Sequence, residues 1–186
     1  MKRSKGFIGF VLGFCLSTTL AFGQGGDQIL DGIGETGLVV RYMFKGDVKD
    51  WSRNNLHGIL QGSAGTFVPD DQFGRVLSLP GAGGAFLTIP GEAVAGEESL
   101  SITGWMYLRS ATSGQLFFDF GTAAQSRLSV TPAGIGGKEG LQVQLITASG
   151  KYVTSSRAIA AHKWNHIAVI LNVPSKTLST YLNGAL

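Results

Sequence analysis

The sequence predicts an all-β domain, a two-sheet antiparallel β-sandwich, and three observations carry that expectation. Glycine makes up 28 of 186 residues, about twice its usual share of roughly 7%, so the chain turns often. Charged residues are 15% and hydrophobic residues 44%. That is apolar matter enough for a core and too little charge for a disordered or coiled-coil chain. From Gly37 onward short apolar runs alternate with turn residues, and no stretch holds a sustained helical period, which is the pattern of many short strands. The glycines have no three-residue period, so a collagen-like helix is excluded.

The elements follow in chain order. Lys2-Arg3-Ser4-Lys5 is a positive start, residues 6–22 are apolar and uncharged, and Ala21 and Gly23 are small residues at the −3 and −1 positions of a cut after Gly23. This pattern predicts a cleaved secretory signal over residues 1–23. Glycine, serine and threonine dilute the segment, which weighs against a membrane anchor of about 20 strongly apolar residues. Cys15, the one cysteine, lies inside this segment, so the expected mature chain of 186 − 23 = 163 residues has no thiol and no disulfide. Lys2, Arg3 and Lys5 also account for the whole formal charge of +3: without them 15 − 3 = 12 basic residues face 12 acidic ones. A neutral body has no electrostatic footprint for nucleic acid or an anionic membrane, and no membrane insertion is expected after cleavage.

Residues 24–36 read as a glycine-rich, flexible lead-in, and residues 37–186 as the domain. Strands are expected at 38–44, 56–60, 75–79, 85–89, 99–109, 115–120, 127–130, 141–147, 151–155, 164–171 and 177–182. Two of them show which face is buried, because successive side chains on a strand point to opposite sides. Leu100, Ile102, Met106 and Leu108 share one face of 99–109, with Ser101, Thr103, Trp105 and Tyr107 on the other. In 164–171, Ile167, Val169 and Leu171 oppose Trp164, His166, Ala168 and Ile170. The aliphatic faces suit a sandwich core; the mixed faces suit a partly wet surface. Hairpin turns are expected at Thr147-Ala148-Ser149-Gly150 and at Asn183-Gly184, the strongest short hairpin signal. Only Ala185 and Leu186 follow the second turn, so its return strand is missing and 177–182 is expected to carry an open edge.

Five blocks in a fixed order resemble the laminin-G-like, concanavalin A-like lectin/glucanase jelly-roll family. They are GLVVRYMFKGDVKDWSRNNLHGIL (37–60), FGRVLSLPGAGGAFLTIP (73–90), SLSITGWMYLRS (99–110), HKWNHIAVIL (162–171) and LSTYLNG (178–184). The resemblance covers residues 37–186 and implies a concanavalin A-like jelly roll. Members usually continue past Asn-Gly into strands that close the sheet, so the domain is expected to be incomplete at its C-terminus.

The same superfamily contains glycoside hydrolases with a Glu-x-Asp-x-x-Glu strand, a spacing that sets two carboxylates about 5–5.5 Å apart for a retaining mechanism. None of the 12 acids here forms that motif. Asp119, inside an expected strand, lacks the second carboxylate that a catalytic acid would need and reads as a hydrogen-bonded residue on the wet face. His162 and His166 are four apart on an expected strand, where the pair cannot chelate as it would on a helix. His166 is expected to pack beside Trp164, and His57 to support the loop ahead of Gly58. Gly-x-Ser-x-Gly is absent, so no nucleophile elbow is signalled, and no catalytic residue is assigned. The loop 46–55 is rich in oxygen ligands, which suit a hard cation. Some laminin-G-like domains bind calcium at a sheet rim, so the resemblance makes calcium the candidate ion, with Asp47 and Asp50 its candidate carboxylates. Asx-type turns at Asp50, Ser52 and Asn54 are the plain alternative. Trp51, Tyr107 and Tyr152, aromatics among polar residues, are the candidate ligand contacts; Trp105 and Trp164 are expected to pack within the domain.

The expectation is a secreted, extracellular or periplasmic, non-catalytic binding or adhesion module whose partner is a glycan or a glycosylated protein. Two alternatives stay open. The chain is an N-terminal accessory module of a larger extracellular glycoside hydrolase, with further domains beyond it, or a structural domain that pairs with a partner protein through its open edge.

Overall fold

A computed structural model of the chain describes residues 37–81, 84–122, 126–134, 140–155 and 157–186. The expected signal and lead-in, residues 1–36, lie outside the described residues. The chain divides into two units, Met1–Leu38 and Val39–Leu186, and every described strand belongs to the second. The strands are β1 (Ile59–Gln61), β2 (Thr66–Asp70), β3 (Gly74–Ser78), β4 (Phe86–Thr88), β5 (Ser99–Tyr107), β6 (Phe118–Thr122), β7 (Ser126–Thr131), β8 (Gln142–Thr147), β9 (Gly150–Ser155), β10 (Trp164–Asn172) and β11 (Thr177–Leu182). A single 3-10 turn at Gly91–Ala93 is the one helical element among the described residues. No helix among them is long and apolar enough to cross a membrane.

All pairings are antiparallel. β11-β10-β5 form a three-stranded sheet and β6-β7-β8-β9 a four-stranded meander, while β1 pairs with β4 and β2 with β3. The two larger sheets share a hydrophobic core: Ile167, Val169 and Leu182 from the first cluster with Leu128, Val130 and Val143 from the second, and Leu108, Leu141 and Ile159 from the flanking segments join them. Leu100, Ile102 and Met106 pack against it, and β5 alternates exposed and covered residues along its whole length. The alternation expected from the sequence therefore holds, and the architecture is the all-β sandwich.

Both expected turns form. β8 and β9 close across Ala148-Ser149 with Thr147 opposite Gly150. Asn183 (φ 52°) and Gly184 (φ 81°) both take positive φ, as a two-residue hairpin turn of matching twist requires. Leu182 and Ala185 exchange backbone hydrogen bonds across it at 2.9 and 3.1 Å.

Two expectations are corrected. Residues 38–44 do not form a strand: Tyr42 makes only an isolated bridge to Asp50, and Phe44 at φ 55° breaks the extended run. The local partner is a folded loop rather than a strand, with the Arg41 N–H donating to the Asp50 carboxylate and the Trp51 N–H to the Arg41 carbonyl. Conversely β2 went unread, because Pro69 and Gly65 look like turn residues. Pro69 sits opposite Arg75 in a two-stranded ribbon, where a missing N–H costs little.

Candidate functional site

The register of β5 on β10 places aromatic residues side by side on the face turned away from the core. Trp105 is opposite His166 and Tyr107 opposite Trp164. The Trp105 ring meets the His166 ring at 5.1 Å and Tyr107 meets Trp164 at 5.6 Å, both edge to face. His166 is fixed further by Thr103, whose Oγ1 lies 2.6 Å from Nε2.

The β2–β3 turn supplies the third side. Asp70 Oδ1 accepts the N–H groups of Gln72 and Phe73 at 3.0 and 2.9 Å, an Asx-type closure that sets the turn. Its other oxygen accepts the Trp164 indole N–H at 3.1 Å. Phe73 then packs edge-on to Trp164 at 4.8 Å and against Trp105 at 5.6 Å. Five rings from three elements thus form one cluster whose members hold one another in place.

Trp164 is half-buried and its donor is spent. Trp105 and Tyr107 are 49% and 42% exposed, and neither the Trp105 N–H nor the Tyr107 hydroxyl has a hydrogen-bond partner among the described residues. The cluster therefore presents two fixed aromatic surfaces with two free polar groups beside them. It can stack on an apolar ligand face and hydrogen-bond a polar rim.

Of the three expected ligand contacts, the structure puts only Tyr107 in this cluster. Trp51 is exposed in the loop after Asp50, and Tyr152 is exposed on β9, in the other large sheet. Trp164 packs within the domain as expected. Trp105, expected to do the same, packs against Phe73 and His166 yet stays 49% exposed, and neither it nor Phe73 was among the expected ligand contacts. The signal was present, since the alternation of 99–109 puts Trp105 and Tyr107 on one face.

The loop at 46–58 is organised by Asp50. Its carboxylate, 6% exposed, accepts the Arg41 and Ser52 N–H groups on Oδ1, and the Ser52 hydroxyl and Leu56 N–H on Oδ2. Burial pushes its pKa up, but these hydrogen bonds outweigh burial and hold it below the ordinary value. The Asp50 N–H donates to His57 Nδ1 at 3.1 Å, so His57 does support this loop. The Tyr42 hydroxyl donates to the Leu56 carbonyl, and its pKa is raised, first by burial and then by the Asp50 charge. Asp47 accepts the Lys49 N–H at 3.2 Å and Ser52 Oγ accepts the Asn54 N–H at 3.2 Å, so the Asx-type and related turns are in place. Among the described residues no group of three or more His, Cys, Asp or Glu side chains converges on a metal position.

Asp119 forms a two-pronged ion pair with Arg127, both contacts at 2.6 Å. This hydrogen bond, more than the opposing burial, raises the Arg127 pKa. Asp119 is the partnered surface residue expected.

Residues 81–186 match the family model described as the concanavalin A-like lectin/glucanases superfamily. Among solved structures the chain is similar to domain 4 of AbnA, a GH43 extracellular arabinanase from Geobacillus stearothermophilus, in complex with arabinotriose. The identity is 18% and the TM-score 0.63, over 75% of this chain and 67% of that one, a likeness of fold. No curated protein matches the sequence. The family match takes in β4 to β11, hence both large sheets, the shared core and the strands that carry Trp105, Tyr107, Trp164 and His166; the chain belongs to the concanavalin A-like lectin/glucanases superfamily.

Proposed function

We propose that the chain is an exported, non-catalytic carbohydrate-binding module, and that the Trp105–Tyr107 face is its binding platform. The observation that carries this reading is the pair of half-exposed rings on adjacent positions of one sheet face, each with a polar group that has no partner among the described residues. A sugar ring has an apolar C–H face and a hydroxyl rim, and this surface complements both. The solved relative in complex with arabinotriose supports the ligand class, and the signal pattern of residues 1–23 supports export. Affinity electrophoresis and calorimetry on a panel of polysaccharides test it. Trp105→Ala should lose about tenfold or more in affinity, the range of an aromatic anchor, while its melting curve stays close to the parent's. Retention on no polysaccharide would sink the reading, and so would binding that survives Trp105→Ala and Tyr107→Ala together.

A second reading is favoured by the comparison, because the solved relative is one domain of a hydrolase. In it the module serves a larger polysaccharide-degrading enzyme, and the intact mass of the native exported product decides between the two. Calcium at Asp47 and Asp50 is a separate proposal. An ion there must displace some of the four donors already on Asp50, and melting curves in calcium and in chelator test it.

A further inference from the structure

A concavity lies where the segment 157–163 passes the Asn183-Gly184 turn. Its volume is about 260 Å³, and Arg157, Lys163, Asn165, Leu182, Asn183 and Ala185 line it. The polar groups of its floor are already used. Asn165, 1% exposed, donates from Nδ2 to the Ala160 and Lys163 carbonyls at 2.9 Å each. Asn183 Nδ2 donates to Asn165 Oδ1 at 3.4 Å, and Asn183 Oδ1 accepts the His166 N–H at 2.8 Å. Leu182 and Ala185 satisfy each other across the turn.

What remains is the guanidinium of Arg157 and the ammonium of Lys163. Neither has a partner among the described residues, and no carboxylate lines the cavity. Two cationic residues in the lining of one concavity, with no acidic residue among them, favour an anion there. The planar fork of an arginine matches the two oxygens of a carboxylate, and a lysine adds a point charge.

We propose that this cavity binds the anionic group, carboxylate or sulfate, of an acidic polysaccharide, and that Arg157 and Lys163 are its ligand contacts. The proposal rests on the carbohydrate-binding reading and names the ligand class within it. The arginine fork favours the carboxylate.

The test is calorimetry on the full chain with three polymers: polygalacturonate for carboxylate, dextran sulfate for sulfate and a neutral arabinan. The parent, Lys163→Gln and the double variant Arg157→Gln/Lys163→Gln are compared after melting curves show equal folding; both side chains are exposed, so the fold tolerates the changes. The expected result is tight binding of polygalacturonate that the double variant weakens about tenfold or more, with Lys163→Gln intermediate. Raising salt should weaken the parent's binding and not that of the double variant, and arabinan binding should not respond to either substitution. The same loss with dextran sulfate alone assigns the site to sulfate. Equal binding of the acidic polymers by parent and double variant overturns the proposal. Retention of arabinan without any acidic polymer also overturns it and leaves the carbohydrate-binding reading standing; binding of none of the three overturns it, and absence of binding across the wider panel removes that reading as well.

Discussion

Asp50 shows how much one buried carboxylate can organise. Four donors from three stretches of chain converge on it, so Asp50→Asn both removes acceptor capacity and turns an N–H₂ toward backbone N–H groups. The expected cost is about 1.5–3 kcal/mol, read from urea unfolding. The pH dependence has a definite sign. A carboxyl whose folded pKa is depressed adds stability that is fully present above its unfolded value, 3.8 for Asp50, and is lost as the pH falls through the folded value. The parent should therefore lose stability more steeply than Asp50→Asn below about pH 4. The residue types of this loop were legible and so was its turn chemistry. Which carboxylate would be buried was not, because that depends on the Arg41 and Leu56 backbone arriving from outside the turn.

At the scale of the elements, β5 and β10 divide their residues between two tasks. Trp105 and Trp164 lie on neighbouring strands of one sheet face, yet their substitutions should separate. Trp164→Ala removes the hydrogen bond to Asp70 and the contacts to Phe73 and Tyr107, and should cost about 2–3 kcal/mol. Trp105→Ala should change the melting temperature little and report mainly on ligand. An alternation of apolar and mixed residues can be read directly, which is why these strands were legible. It could not say that the β2–β3 turn would cover Trp164 and leave Trp105 open. That choice is made by a contact between residues 94 positions apart. The cationic cavity was illegible for the same reason, since Arg157 and Lys163 sit on an irregular segment and only the Asn183 turn brings a wall to it.

At the largest scale, the unit Val39–Leu186 is built on a core between its two larger sheets, and the sequence has no net formal charge beyond Lys5 and no cysteine outside residues 1–23. Its stability therefore depends on burial. Ile167, fully buried at the centre of the core, should cost about 2–5 kcal/mol when cut to alanine. Ile170→Ala, three positions along the same strand on the open face, should stay within about 1 kcal/mol, and calorimetric unfolding of the two variants distinguishes them. The sheets also touch at one side, where the Thr154 and Thr180 hydroxyls lie 3.0 Å apart, so that seam is polar while the centre is dry.

The Asn183 side chain has a consequence for dynamics. It accepts the His166 amide proton while its own backbone N–H donates to the His166 carbonyl, so one residue closes the end of the β10–β11 ladder from both sides. Its remaining amide group steadies Asn165, on the opposite face of β10 from His166. Deuterium uptake at the His166 amide is then a local gauge of the turn. It should be slow in the parent and fast in Asn183→Ala, with the Val169 amide in the strand centre unaffected. Because β10 carries on one face Trp164 and His166, which pack against Tyr107 and Trp105, and on the other Asn165, which lines the cationic cavity, the same amide would register an occupant on either side.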